Sequence, residues 1–286
     1  MEKIAIITDV NAGLDYIDRK VDIPVLRSII HFGNEHYVDG IDIKADEFYK
    51  KIISTGLIPS TSAPTIGEAM ELLDRLIEEK YTDVIMYAIS QNMSCIYEMM
   101  CSLAEEYKDR INLHVVNTKT ATYLQGYLAV TAYDMVQEGK SVKEILDRTN
   151  FLIEHGHAYF VVDNLNYLVK NGRLKGIAGA IGALLKIKPI LEINKIGQIV
   201  VNTKIRTHTK AIQAALDKII TELKEAKKVK LFVFHTCREE DCKKLMEYLK
   251  KSDPKFNDVE MHMVTPAVGA HIGPGILAFG YYILDL

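Results

Sequence analysis

The chain has 286 residues, 48% hydrophobic and 26% charged, so it can bury a sizeable core and is long enough for two domains. Its formal net charge of -3 gives no overall electrostatic reason to expect nucleic acid or an anionic membrane surface as a partner. The N-terminal apolar run is too short for a signal peptide, and no run approaches the ~20 residues of a membrane-spanning helix. We therefore expect a cytoplasmic protein.

The first half of the chain alternates strand patterns with amphipathic helix patterns. Strands are predicted at residues 4–8, 83–89 and 113–117, and helices at 44–55, 65–80, 94–108 and 120–137. This alternation favours a mainly parallel sheet flanked by helices. In such sheets ligands bind at the carboxyl ends of the strands.

A run of hydroxyl side chains stands immediately before one of these helices. Thr65 and Glu68 have the capping-box spacing, and Thr61 and Ser62 lie in the preceding segment 60–65, which we interpret as a loop. Free amides at a helix start suit a carboxylate or a phosphate oxygen. The plain alternative is a satisfied N-terminal turn.

The second half is predicted to be mixed α/β, after a domain boundary near residue 155. The predicted domains are 1–155 and 156–286. Strands are expected at 158–163, 190–193, 198–203, 229–235, 259–264 and 275–284, and helices at 210–227 and 239–250. Segment 177–185, rich in small residues, fits either a core helix or the wall or lid of an apolar cavity.

Two further polar segments could converge with Thr61 and Ser62. One is 90–94, where Ser94 is expected to cap the following helix. The other is 270–275, which we interpret as a loop whose glycines allow close approach to a ligand and whose His271 can donate to an anion. Capping hydroxyls, a tight turn and a satisfied histidine are the structural alternatives.

Familiar metal, cofactor and catalytic signatures are absent from the sequence. Cys95, Cys101, Cys237 and Cys242 form no CxxC pair and are expected to be reduced thiols. His235 beside the last two matches no familiar zinc spacing, so no metal site is predicted. The glycines fit neither a P-loop nor a dinucleotide fold, so no cofactor is predicted.

Two basic segments carry arginines in glycine-bearing or polar turns. They are 170–175, with Arg173, and 204–208, with Arg206. Exposed basic residues usually form only a solvated surface. An arginine in a turn can also bind a carboxylate or phosphate through two parallel hydrogen bonds.

Taken together and in order, these motifs resemble the DegV family of bacterial proteins over essentially the whole chain. The matching segments are Ile7-Thr8-Asp9, Thr61-Ser62-Ala63-Pro64, Ser90 to Ser94, Gly126, Val161 to Leu168, Gly172-Arg173-Leu174, Ile205-Arg206-Thr207, His235 and His271-Ile272-Gly273-Pro274-Gly275. Two departures stand out: Ala270 replaces a usual threonine, and the 90–96 loop lacks one hydroxyl and both glycines of the family pattern.

The resemblance implies a two-domain α/β protein that encloses one long-chain fatty acid, with its tail in an apolar tunnel and its carboxylate at a polar mouth between the domains. It implies a non-catalytic subunit that presents this carboxylate to a separate ATP-binding kinase, which makes acyl phosphate. Carried over by motif, Thr61, Ser62, Ser94 and His271 would hold the carboxylate. Arg173 and Arg206 would face the kinase.

Two other functions stay open at this point. The chain could itself transfer a phosphoryl or acyl group, with His271 as acid or base and Ser94 or Thr61 as acceptor. It could also be a regulatory protein that senses lipid.

Overall fold

The computed structural model describes residues 2–174 and 187–285. The predicted segment 177–185 lies outside these residues. The strands are, in chain order, β1 (Ile4–Asp9), β2 (Val25–Leu26), β3 (Ile29–Phe32), β4 (Glu35–Val38), β5 (Ser60–Ser62), β6 (Asp83–Ala88), β7 (Asn112–Asn117), β8 (Gly156–Val161), β9 (Ile190–Ile193), β10 (Ile199–Thr203), β11 (Lys228–His235), β12 (Glu260–Met263) and β13 (Leu277–Asp285). The α-helices are α1 (Ala45–Thr55), α2 (Ile66–Glu78), α3 (Ile96–Tyr107), α4 (Thr122–Gln137), α5 (Val142–Glu154), α6 (Asn166–Lys170), α7 (His208–Glu222), α8 (Glu239–Ser252) and α9 (Pro266–Ile272).

A four-stranded parallel sheet forms the centre of the first half, with strand order β2-β1-β6-β7. Every residue of β1 and β6 is buried, as expected for central strands covered by helices on both faces. The carboxyl ends of β1, β6 and β7 meet at one edge. They deliver the segments that follow Asp9, Ala88 and Asn117 to the same region.

The second half contains a six-stranded mixed sheet with order β10-β9-β8-β13-β11-β12. Its strands pair antiparallel except for β11 and β12, which are parallel. The predicted α/β class, with a parallel sheet flanked by helices and a separate mixed sheet, is confirmed. The division into domains 1–155 and 156–286 stays a prediction.

A third, small sheet with order β4-β3-β5 was not predicted. Its inner face buries Ile30 and Phe32 against α1 and α9, where Phe48, Tyr49 and Ala270 share the same apolar cluster. Segment 60–62, interpreted from the sequence as a loop, is the edge strand β5 of this sheet. The hydroxyls there are held in a ladder, not in a free turn.

Helix α4 packs between the two large sheets. Its Tyr123 stacks on His262 with ring centroids 3.9 Å apart and meets Phe232 edge-on, both on the six-stranded sheet. On its other side Gln125 donates to Thr8 Oγ1 and to the Tyr87 carbonyl of the parallel sheet. The two sheets therefore share one apolar core.

Local capping follows the sequence pattern. Thr65 and Ser141 each form a complete capping box, with Glu68 and Glu144, at the starts of α2 and α5. The predicted strands 190–193 and 198–203 correspond to β9 and β10, which pair as an antiparallel hairpin. Within the part of the chain that the structure describes, none of the helices has the length and apolarity needed to cross a membrane.

Gly126 allows α4 to pack closely against the turn after β1. A Cβ atom at this position would lie 2.3 Å from the carbonyl oxygen of Ala12. Because backbone cannot withdraw cheaply, Gly126→Ala should lower the free energy of unfolding by about 1–3 kcal/mol, measured by urea denaturation. The matched control is Gly67→Ala in α2, where the Cβ has room at 3.9 Å from Thr65 Oγ1. This control should leave the free energy of unfolding unchanged or raise it by up to about 1 kcal/mol. Equal effects would contradict the close-packing role of Gly126.

Candidate functional site

A cavity of about 340 Å³ opens at the carboxyl ends of β1 and β6, and we call it the mouth cavity. It is bounded by the parallel sheet's loops, by β5 and by α9. Hydroxyls, an imidazole and a guanidinium line it together with apolar side chains. The lining residues are Asn11, Ser28, Thr61, Ser62, Ala63, Ile89, Met93, Ser94, Cys95, Ala121, Arg173, Ile199, Val268, His271 and Ile272.

The mouth cavity borders an almost wholly apolar space of about 60 Å³, which we call the apolar chamber. The two spaces share five wall residues, Met93, Ala121, Ile199, Val268 and Ile272. Deeper in, the walls are aliphatic and aromatic: Leu124, Ala158, Phe160, Ile193, Phe234, Val264, Ile276, Ala278 and Phe279, with Thr122 as the one hydroxyl. The combined site is polar at one end and apolar at the other.

Thr61 and His271 meet at the polar end. Thr61 Oγ1 and His271 Nε2 share a hydrogen bond of 2.9 Å that joins β5 to α9. Burial, and secondarily the positive charge of Arg173, lower the pKa of His271 to about 4. The imidazole is therefore neutral near pH 7. Its Nδ1 is buried and has no hydrogen-bond partner among the described residues.

Ser62 lies next to Thr61 on β5 and faces the other side of the small sheet, because successive side chains of a strand alternate. Its Oγ is 2.7 Å from His31 Nε2. The other ring nitrogen of His31 is 2.7 Å from Nδ1 of His36 on the neighbouring strand β4. The hydroxyls of Thr61 and Ser62 thus each contact a different histidine.

Ser94 lines the mouth cavity at the end of a loop that is tightly held. Ser90 Oγ donates to the carbonyl of Gly197 at 2.8 Å, and Asn92 Nδ2 donates to that of Ile196 at 2.7 Å. These bonds attach the loop to the β9–β10 turn. Ser94 is not the cap of α3, because the helix begins at Ile96 after an N-cap at Cys95.

Arg173 and Arg206 lie in different places. Arg173 lines the mouth cavity, where its Nε and Nη1 donate to the main-chain carbonyls of Met93 and Asn171 at 2.7 Å each. Arg206 is exposed between β10 and α7 and is not among the lining residues. The structure therefore brings Arg173 together with Thr61, Ser62, Ser94 and His271, and leaves Arg206 outside.

The buried Asp9 holds two lining residues of the mouth cavity in position through hydrogen bonds. Its fully buried carboxylate accepts from the main-chain and side-chain nitrogens of Asn11, at 3.0 and 2.7 Å, and from Ile89 N at 2.9 Å. Burial raises the pKa of Asp9, while these hydrogen bonds oppose that rise. Asn11 and Ile89 both line the mouth cavity, so Asp9 fixes two of its walls.

Three sequence interpretations change. The start of α2 contributes no lining residue to the mouth cavity, and there the Glu68 carboxylate accepts from Thr65 N at 2.8 Å. His271 lies in α9, so segment 270–275 is only partly a loop. Ala270 is fully buried against α1 and α6, so a threonine there would not add a hydroxyl to the mouth cavity.

Two other depressions, of about 440 Å³ each, are larger than the mouth cavity. One lies beside Lys119 and Lys195, and the other is an open surface around Asp163 and Arg238, which pair with each other at 2.8 Å. We place the candidate site at the mouth cavity because Thr61, Ser62, Ser94 and His271 line it together and five of its wall residues also line the apolar chamber. The depression beside Lys119 and Lys195 shares three wall residues with the chamber, Leu124, Ala158 and Ile193. Among the described residues, no group of three or more histidine, cysteine or acidic side chains could hold a metal ion.

The sequence prediction missed His31, His36, Asn11 and Ser28. A signal for the histidines existed: Gly33-Asn34 is a two-residue hairpin turn pattern, and pairing the strands around it places His31 opposite His36. Asn11 follows the recognised Ile7-Thr8-Asp9 strand. Its place at the mouth cavity depends on the buried Asp9, which periodicity cannot reveal.

The fold is that of an α/β protein with a cavity that is polar at one end and apolar at the other. The model of the DegV family, described as an uncharacterised protein, matches residues 3–284. A DegV domain-containing protein of Staphylococcus aureus is 34% identical over 282 residues, which cover 98% of this chain and 97% of the relative. The chain belongs to the DegV family, and the resemblance inferred from its motifs is confirmed.

Solved structures with the same fold cover almost the whole chain. A fatty acid binding DegV family protein from Streptococcus agalactiae is 30% identical with a TM-score of 0.91, over 99% of both chains. DegV, a fatty acid binding protein from Bacillus subtilis, is 27% identical with a TM-score of 0.85, over 99% of this chain and 100% of that one.

The depressed pKa of His271 makes stability depend on pH. Between pH 6.5, the ordinary value, and about 4, the unfolded chain binds a proton that the folded chain excludes, so stability falls as pH falls through this window. Near pH 4 the free energy of unfolding should be lower than at pH 7 by about 3 kcal/mol from this residue. Urea unfolding from pH 7 to 4 should show a shallower pH dependence for His271→Gln, which cannot titrate. Parallel curves for the two proteins would contradict this.

Proposed function

We propose that this chain binds one long-chain fatty acid, with the carboxylate in the mouth cavity and the acyl chain in the apolar chamber. The observation that carries the proposal is the shared wall of the two spaces, which joins a cluster of hydroxyls directly to an apolar interior. Fatty acids combine one polar end with a long apolar end. The fatty acid binding described for the relatives from Streptococcus agalactiae and Bacillus subtilis supports the same ligand class.

The acyl chain supplies most of the affinity. Burying a methylene contributes roughly 0.8 kcal/mol, so about 15 methylenes contribute on the order of 12 kcal/mol before the entropic costs of binding. The apolar chamber of about 60 Å³ is far smaller than the roughly 300–1,000 Å³ of ordinary ligand sites. Its aliphatic and aromatic walls must therefore move apart around the chain, and their packing sets the preferred length and unsaturation.

The head group is held by neutral donors. A buried carboxylate without hydrogen bonds is costly, and an ionised carboxylate only accepts. Thr61, Ser62, Ser94 and His271 all line the mouth cavity, and we assign them to the carboxylate. In this proposal domain 1–155 supplies the hydroxyls, while domain 156–286 supplies His271 and most of the apolar walls.

We further propose that the bound carboxylate is presented to a separate ATP-binding kinase subunit, as the family resemblance implies. The carboxylate oxygen would attack the γ-phosphorus of ATP held by that partner, giving acyl phosphate and ADP. Arg173 supports this assignment because it is fixed at the mouth cavity by two carbonyls, where a guanidinium can stabilise charge on a transferring phosphoryl group. Arg206 is proposed to contact the partner from the exposed surface.

Lipid extraction tests the binding proposal. Denaturing extraction of folded protein purified from cells, followed by mass spectrometry, should release fatty acid in a ratio approaching one per chain. The delipidated protein should take up added palmitate, and with ATP and magnesium alone it should form no acyl phosphate. Folded protein that carries no acyl chain and binds none would overturn the proposal, and turnover by this chain alone would favour the enzyme alternative.

Arginine variants test the presentation step. With the host's ATP-binding kinase subunit present, Arg173→Ala should lower the rate of acyl phosphate formation by about 10²-fold, as removal of a transition-state donor does. Palmitate affinity should change by less than about threefold, since the chain supplies most of the affinity. Arg206→Ala should act mainly by weakening partner binding. The control is Arg110→Ala, whose side chain is exposed and pairs with Asp74. If Arg173→Ala lowers palmitate affinity and the rate of acyl phosphate formation by the same factor, Arg173 acts only in lipid binding.

A further inference from the structure

We propose that His31 and His36 form a relay that sets the direction of the Ser62 hydroxyl proton and so tunes the mouth cavity for a carboxylate. This inference rests on the proposed fatty acid function. In it His31 is a positioning residue, since it acts on the ligand only through Ser62. The relay consists of three side chains on the outer face of the small sheet, linked by two contacts of 2.7 Å.

The contact between the histidines fixes how they share a proton. Two Nδ1 atoms 2.7 Å apart must have one N–H between them, with one ring donating and the other accepting. A neutral imidazole carries its single proton on one nitrogen only. The direction of the His31–His36 bond therefore decides what His31 Nε2 offers to Ser62.

Only one of the two directions suits a bound carboxylate. When His36 Nδ1–H donates to His31 Nδ1, that nitrogen of His31 carries no proton, so the ring proton is on Nε2 and is donated to Ser62 Oγ. Because β5 is the edge strand of the small sheet and Ser62 lines the mouth cavity, the Ser62 O–H is then free to donate into it. In the opposite direction Ser62 must donate to His31 Nε2, and it presents only oxygen lone pairs to the ligand. Since a carboxylate accepts and never donates, it selects the first arrangement.

The geometry of β5 places a similar pair on its other face. Thr61 points to the inner face and shares its hydrogen bond with His271 Nε2 at 2.9 Å. The imidazole of His271 is neutral near pH 7 because burial lowers its pKa. With the proton on Nε2, His271 donates to Thr61 Oγ1, and the Thr61 O–H is free for the ligand. The hydroxyls of Thr61 and Ser62 thereby both act as donors to the ligand. A histidine sets the direction of each hydroxyl proton.

The position of His31 follows from strand register. His31 lies directly opposite Ser60 and opposite His36 in the ladders of the small sheet, and Ser62 is its diagonal neighbour on the same face. The turn at 33–34 fixes the His31–His36 pairing. Neither histidine is a lining residue of the mouth cavity, so a direct ligand contact is not required of them.

The first test reads the tautomer. Long-range ¹H–¹⁵N spectra of histidine-labelled protein, assigned with His31→Gln and His36→Gln, should show His31 in the palmitate complex with its proton on Nε2 and an unprotonated Nδ1. The reverse tautomer in the complex would overturn the relay. Hexadecanol, which can accept or donate, serves as the comparison ligand and should not select one tautomer.

The second test uses affinity ratios. Loss of an orienting hydrogen bond lowers affinity by a factor of about five. His31→Ala should therefore weaken palmitate binding by about fivefold, and hexadecanol binding by less than about twofold. In a Ser62→Ala background the same change should have almost no effect on palmitate, because the relay acts through Ser62. His31→Gln keeps an N–H donor near the Nε2 position and should restore most of the palmitate affinity.

The control is His155→Ala, in which an imidazole bonded to the Phe151 carbonyl at the end of α5 is removed. It should leave the palmitate-to-hexadecanol ratio unchanged. Equal weakening of both ligands by His31→Ala, or full additivity with Ser62→Ala, would show a purely structural role and overturn the relay. If the wild-type protein binds neither ligand, the proposed function itself fails, which is a distinguishable result.

Discussion

The mouth cavity depends on the hydrogen bond between Thr61 and His271, which joins residues 210 positions apart in the chain. It ties the edge strand of the small sheet to the short helix α9, and the cavity lies along that junction. Because the imidazole is buried, its charged form is disfavoured and the bond is made between neutral groups. This junction offers oriented dipoles, and the charged guanidinium of Arg173 lines the same cavity. Such a polar end suits a ligand whose affinity comes mainly from its apolar part.

The rest of the fold fixes the position of β5 and α9 relative to the other walls of the site. The parallel sheet contributes walls through Asn11 and Ile89, both fixed by the buried Asp9. The mixed sheet contributes Phe160, Ile199 and other apolar walls of the chamber. Helix α4 packs against both sheets, so the polar and apolar parts of the site are built on one continuous core. A shift of one sheet relative to the other would change both the head-group contacts and the chamber.

Most of the large-scale architecture could be predicted, because long strands and helices have strong periodic patterns. The parallel sheet, the mixed sheet and the capping boxes at Thr65 and Ser141 follow from local sequence. The small sheet was missed since its two ladders have only four and three residue pairs and one of its strands, β5, consists entirely of hydroxyl residues. His31 and His36 were missed with it. Their relation to Ser62 depends on register across two ladders, which no single segment encodes.

The departures from the family pattern have different structural meanings. Ala270 lies in the apolar cluster beneath the small sheet, so its missing hydroxyl does not concern the mouth cavity. In the altered 90–96 loop, Ser90 and Asn92 hold the β9–β10 turn, and this contact needs Gly197, where a Cβ would lie 2.1 Å from Ser90 Oγ. Ser90 and Asn92 are committed to joining the two halves of the molecule, which leaves Ser94 as that loop's donor at the mouth cavity. The other proposed head-group donors, Thr61, Ser62 and His271, lie on β5 and α9. With few hydroxyls at the mouth cavity, the orientation of those of Thr61 and Ser62 becomes important.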